Sequence, residues 1–109
     1  MPQIELHSAE RRELRAQAHH LHPVVMVGGD GVTPAVRKEI DAALDAHGLI
    51  KIRVFSDDRA ARELMHQELA AELGAAPVQH IGKLLVLWRP SDKQRVVLPK
   101  SKKALKAQP

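Results

Sequence analysis

At 109 residues, 44% of them hydrophobic, the chain suits one domain around one core and is too apolar for a disordered polymer. The lack of cysteine excludes a disulfide framework and thiolate metal sites, and no apolar run reaches membrane-span length or reads as a signal-peptide core, which predicts a cytoplasmic protein. The net charge of +4 is unevenly placed: six basic residues and no acid lie between Lys93 and Pro109, whereas residues 1–92 carry 11 basic and 13 acidic side chains.

Leu6 to Leu21 predicts a first helix, with Ser8 as cap, Glu10 in the first turn and Leu14, Ala18 and Leu21 facing a core. Arg11 and Arg15 are four apart and share one side of it. His19, His20 and His22 follow, without the further ligands at suitable spacing that a zinc site needs; His19 is better placed to close the helix near its last carbonyls. Pro23 stops the helix and opens a short β-branched strand, Val24 to Val27.

Gly28-Gly29-Asp30-Gly31 comes next, then Thr33 as N-cap and Pro34 at the first position of a second helix running to about His47, with Gly48 closing it. A glycine turn at a helix start delivers backbone N–H groups that can hold a phosphate oxygen, and it can equally be only a tight connection. Arg37 and Lys38 sit in the first turns of that helix, where cations oppose the macrodipole and an anion site could use them.

Leu49 to Phe55 alternates Ile50, Ile52 and Val54 with Lys51, Arg53 and Phe55, a strand with one apolar and one cationic face; its cations suit a phosphate backbone or plain solvent. Asp57 or Asp58 caps a third helix to Leu73, with Ala61, Leu64, Met65, Leu69 and Leu73 as its apolar stripe and Arg62, Glu63, Glu68 and Glu72 facing solvent. Val78 to Ile81, the turn Gly82-Lys83, and Leu84 to Arg89 predict a hairpin whose nearly continuous second strand lies centrally in the sheet. Val96-Val97-Leu98 adds a brief extended piece before a mobile basic tail. The order αβαβαββ predicts an α/β fold, a four-stranded mixed sheet with packed helices and the glycine loop at the C-terminal edge of the first strand.

Four stretches carry a family resemblance: Leu14-Arg15 with Ala18-His19-His20-Leu21-His22-Pro23-Val24-Val25; Gly28-Gly29-Asp30-Gly31-Val32-Thr33; Leu49-Ile50-Lys51-Ile52; and Val78 through Pro90. Together they resemble the CRM (CRS1–YhbY) domain in its stand-alone bacterial form, from about Leu6 to Lys100, which implies a domain over residues 1–100 with 101–109 as a basic tail. The resemblance implies a fold similar to the C-terminal domain of translation initiation factor three, and an RNA-binding role with the G-x-x-G loop, here Gly28 to Gly31, in contact with RNA. It further implies association with precursors of the large ribosomal subunit. Two positions depart from the family: Leu6-His7-Ser8 stands where Leu-Thr is common, and Asp30 puts an acid inside the loop, where it repels phosphate unless it turns to backbone N–H groups.

The expected function is therefore a monomeric, non-catalytic RNA-binding module for ribosomal RNA, with Gly28, Gly29, Asp30, Gly31, Arg11, Arg15, Arg37, Lys38, Lys51, Arg53 and Lys83 as candidate contacts, and neither cofactor nor metal. Only Phe55 and Trp88 are aromatic, which points to backbone and shape contacts rather than stacking on several aromatics. An enzyme is disfavoured because the loop lacks a Walker A ending and no catalytic spacing stands out. A protein-binding adaptor on ribosomal particles, using the acidic third helix, is the alternative.

Overall fold

Local chemistry sets most of the element boundaries in the computed structural model, which describes residues 4–91. The elements are α1 (Ser8–Ala18), β1 (Val25–Val27), α2 (Pro34–His47), β2 (Leu49–Val54), α3 (Arg59–Leu73), β3 (Ala76–Ile81) and β4 (Leu84–Trp88), in the predicted order. Thr33 caps α2 by accepting from the Val36 N–H at 3.2 Å, and Asp58 caps α3 through Ala61 at 3.2 Å. Gly48 and Gly74 close these two helices at φ of 78° and 64°, where a side chain would be strained. The expected extended piece at Val96-Val97-Leu98 and the basic tail lie outside the described residues.

Helix α1 differs from expectation at both ends. Its N-cap is His7 rather than Ser8, and the Glu10 carboxylate accepts from the His7 N–H at 2.9 Å. It stops at Ala18 rather than Leu21, because the chain tightens: His20 and Leu21 donate to the carbonyls three residues back, at 3.3 and 2.9 Å, before Pro23 forbids more helix.

The sheet order is β1-β2-β4-β3, with β1 parallel to β2 and both other pairings antiparallel. The hairpin β3–β4 thus inserts its second strand between β2 and β3, which explains the long apolar run of β4. Edge position also lets β3 begin two residues earlier than Val78 and include Pro77, with a register shift between Pro77 and Gln79. Arg89 locks the far end: its guanidinium donates to the Asp41 carboxylate at 2.8 Å and carbonyl at 3.1 Å, and to the Leu73 carbonyl at 3.0 Å, joining α2 to the end of α3.

Two cores result. On one face, Val25, Val27, Ile50, Ile52, Val54, Leu85 and Leu87 pack against Ile40 and Leu44 of α2 and Leu69, Ala70 and Leu73 of α3. On the other, α1 places Leu14 and Ala18 over Leu49, Ala76, Val78, Val86 and Trp88. The stripe of α3 is rotated from expectation: Arg62 and His66 are buried, while Leu64 is 59% exposed. Hydrophobic period alone favoured Leu64, whereas hydrogen bonds to the sheet let the two polar residues go inside.

Ile52→Ala, in the fully buried central row, is expected to cost about 2–5 kcal/mol in urea denaturation, and Leu64→Ala within about 0.5 kcal/mol. Equal losses would contradict this placement of the core.

Candidate nucleic-acid interface

The glycine loop leaves β1 at the end of the sheet where β2 also ends and the β3–β4 turn lies. Two bonds fix this neighbourhood: Phe55 N–H to the Val27 carbonyl at 3.0 Å, and Val54 N–H to the Lys83 carbonyl at 2.8 Å. Within the loop, Gly31 N–H donates to the Gly28 carbonyl at 3.1 Å, so it is already used. The N–H groups of Gly29 and Asp30 have no partner among the described residues. Only Gly31, at φ +73°, needs glycine for its backbone; a Cβ at Gly28 or Gly29 would meet nothing within 4 Å. These two positions thus offer bare, exposed backbone that the fold itself does not demand.

From this loop an uncovered half of the sheet runs toward α1. Val25 and Val27 of β1, Ile52 and Val54 of β2, and Leu85 of β4 point into the larger core, so the alternating neighbours face the other way. Registered pairing sets Met26, Arg53, Leu84 and Ile81 in one row, and Lys51, Val86 and Gln79 in the next, which passes under α1 at the buried Val86. A groove of about 530 Å³ lies between α1 and this surface, lined by Arg12, Arg15, His19, Lys51, Gln79 and Leu84 among others, without a carboxylate.

The candidate cations do not all meet there. Lys51 and Arg53 lie on the open face, with Lys51 Nζ donating to the Leu21 carbonyl at 3.0 Å and Arg53 lying 5.0 Å from the Phe55 ring centre, and Arg15 of α1 lines the groove beside Lys51. Lys83 stands at the rim, 2.7 Å from Asp57, whose carboxyl is held below its ordinary value by that lysine. Arg11 leaves the face by donating to the Pro77 carbonyl at 2.9 Å. Arg37 and Lys38 lie on α2, on the opposite layer, and Arg37 pairs with Glu72 at 3.1 Å. Arg12 was missed; its spacing of three from Arg15, on the same helix side, was the available signal.

Comparison with known proteins then gives the lineage. The family model for the CRS1 / YhbY (CRM) domain matches residues 6–89. The chain belongs to the CRM domain family. A relative from Haemophilus influenzae, named RNA-binding protein, is 44% identical over 95 residues, covering 87% of this chain and 96% of the relative. A relative from Bacillus subtilis, named probable RNA-binding protein YqeI, is 34% identical over 91 residues, covering 83% and 95%. The solution structure of the hypothetical protein SAV1595 from Staphylococcus aureus has a TM-score of 0.78 and 28% identity, covering 87% of this chain and all of that one.

This CRM domain holds one further cluster of titratable groups, beneath α3. Arg62 donates from Nε to His80 Nε2 at 3.2 Å and from NH1 to the Ser56 carbonyl at 2.8 Å. His80 must therefore carry its proton on Nδ1, which donates to Glu63 at 2.8 Å and holds that carboxyl below its usual range. His66 donates from Nε2 to the Val86 carbonyl at 2.8 Å, beside the β3 register shift. These bonds tie α3 to β3, β4 and the turn at Ser56, so the cluster braces helix against sheet. No helix of the described residues is long and apolar enough to cross a membrane.

Burial lowers the His66 pKa from 6.5, only partly offset by its bond to Val86. Below pH 6.5 the unfolded chain takes up this proton more readily than the folded one, so stability falls on acidification. Stability measured by urea denaturation is expected to fall from pH 7.5 to about 5.5, and to fall less in His66→Gln, which keeps an amide donor. An unchanged pH slope in that variant would assign the loss to other groups.

Proposed function

We propose that this CRM domain is a non-catalytic RNA-binding module that engages ribosomal RNA in precursors of the large subunit and assists their assembly, acting as a cytoplasmic monomer. The observation that carries the reading is the continuity of exposed loop backbone at Gly28 to Asp30 with an uncovered sheet face bearing Lys51 and Arg53 and flanked by Arg12 and Arg15 of α1. Backbone N–H groups suit phosphate oxygens, and guanidinium groups suit them in bidentate fashion. The name of the Haemophilus influenzae relative supports RNA as the partner. The ribosomal target rests on the family resemblance.

Among the candidate contacts, Gly28, Gly29, Asp30, Arg15, Lys51 and Arg53 form the centre of this proposal. Lys83 adds a rim cation whose exposed pair with Asp57 is weak enough to exchange for phosphate. Gly31 shapes the turn, Arg11 and Arg37 hold structure, and Lys38 contributes only long-range charge.

Binding to structured large-subunit RNA over a salt series tests the reading. Neutralising about four phosphates predicts a slope of roughly −3 to −4 in log K against log salt. Gly29→Glu, which meets open space and spares the fold, is expected to weaken binding about tenfold with an unchanged circular dichroism spectrum. Native affinity in this variant would remove the loop from the site. Absence of RNA binding at low salt, with ribonuclease-resistant retention on ribosomal particles, would replace the module by a protein-binding adaptor.

A further inference from the structure

Five large apolar side chains are exposed among the described residues: Val24 at 46%, Met26 at 57%, Phe55 at 46%, Ile81 at 54%, and Leu64 on α3. All but Leu64 belong to the uncovered half of the sheet. Their strands lie about 4.8 Å apart, so the row Met26–Arg53–Leu84–Ile81 crosses the sheet over roughly 14 Å. The Arg53 guanidinium sits over Phe55, two positions along the same strand face.

We infer that this half-sheet is a platform for unpaired nucleobases, centred on Phe55, Arg53 and Met26. The inference rests on the RNA-binding reading above and deepens it: the same surface would select single-stranded over duplex RNA. A flat ring and a planar cation, both exposed, each offer a face on which a base can stack. Met26 and Ile81 extend that surface with adaptable apolar contact. Gln79, in the same groove, supplies an amide donor and acceptor for a base edge. Arg12, Arg15 and Lys51 bank the platform on its α1 side, where phosphates linking stacked bases would run.

Charge placement favours RNA over a protein partner. Protein interfaces keep their centres poor in charge, whereas Arg53 occupies the middle of this patch, with Lys51 in the next row and no carboxylate in either row. The scarcity of aromatic residues excluded a platform built of several rings; one ring, an arginine and a methionine side by side provide a smaller one.

Titration with two probes tests this: a short unpaired oligouridylate, and a blunt RNA duplex carrying the same number of phosphates. The full chain is expected to prefer the unpaired probe at matched salt. Phe55→Ala together with Met26→Ala, both outside the cores, should weaken that probe fivefold or more while leaving the salt slope and the duplex affinity unchanged. Phe55→Trp should keep native affinity and lose indole fluorescence as oligouridylate binds, over a constant background from Trp88, which is 6% exposed. Unchanged affinity in the double alanine variant, equal affinity for the two probes, or unquenched fluorescence in Phe55→Trp would each overturn the platform while leaving RNA binding by the loop and cations intact. Failure of both probes to bind the native chain would overturn the platform and the RNA-binding reading together. Loss of particle binding without loss of RNA binding in the alanine variants would assign the face to a protein instead.

Discussion

Three helices cannot cover both faces of a four-stranded sheet, and the molecule is organised around where that shortfall lies. Helices α2 and α3 close one face over the larger core. The other face has only α1, whose 11 residues span about 16 Å. It seals the end that carries Leu49, Ala76, Val78, Val86 and Trp88. The remainder, from Val24 to the glycine loop, stays open. An exposed apolar surface of this kind carries a solvation cost that a binding surface justifies.

The cations divide along the same line. Arg62 and Arg89 are built into the structure, Arg62 bracing α3 on His80 and Ser56, Arg89 joining α2 and α3. Arg11 and Arg37 make single contacts that hold α1 on β3 and α2 on α3. Arg12 and Arg15 have no ion pair among the described residues and flank the open face. Net charge therefore says little about this domain; what matters is which guanidinium groups the fold leaves unspent and that no carboxylate shares their groove.

Much of this was legible in the sequence because it is written in local chemistry. Thr33-Pro34, Gly48, Asp58 and Gly74 mark helix ends through capping bonds and positive φ, and the alternation in β2 announces a strand with one cationic face. The central place of β4 was legible too, from its nearly continuous apolar run, and it lies between β2 and β3. The misreadings involve long-range pairing. Arg62 looked like a surface residue because its partner, His80, lies 18 residues away, and nothing local marked His66, whose partner, the Val86 carbonyl, lies 20 residues away. The same limit hid the open platform: Met26 and Ile81 sit on β1 and β3, Phe55 directly follows β2, and the three come together only through register. Family resemblance supplied the lineage, and four separated segments made it specific, but it left open which basic residues share a face.

The most direct test of the central claim is backbone amide mapping by NMR while unpaired RNA is added. Shift changes concentrated at Met26 to Asp30, Arg53 to Phe55 and Ile81 to Leu84, with the outer surface of α2 and α3 silent, are the predicted result. Changes centred on Leu64, Glu68 and Glu72, with the loop and the open sheet face silent, would contradict the account.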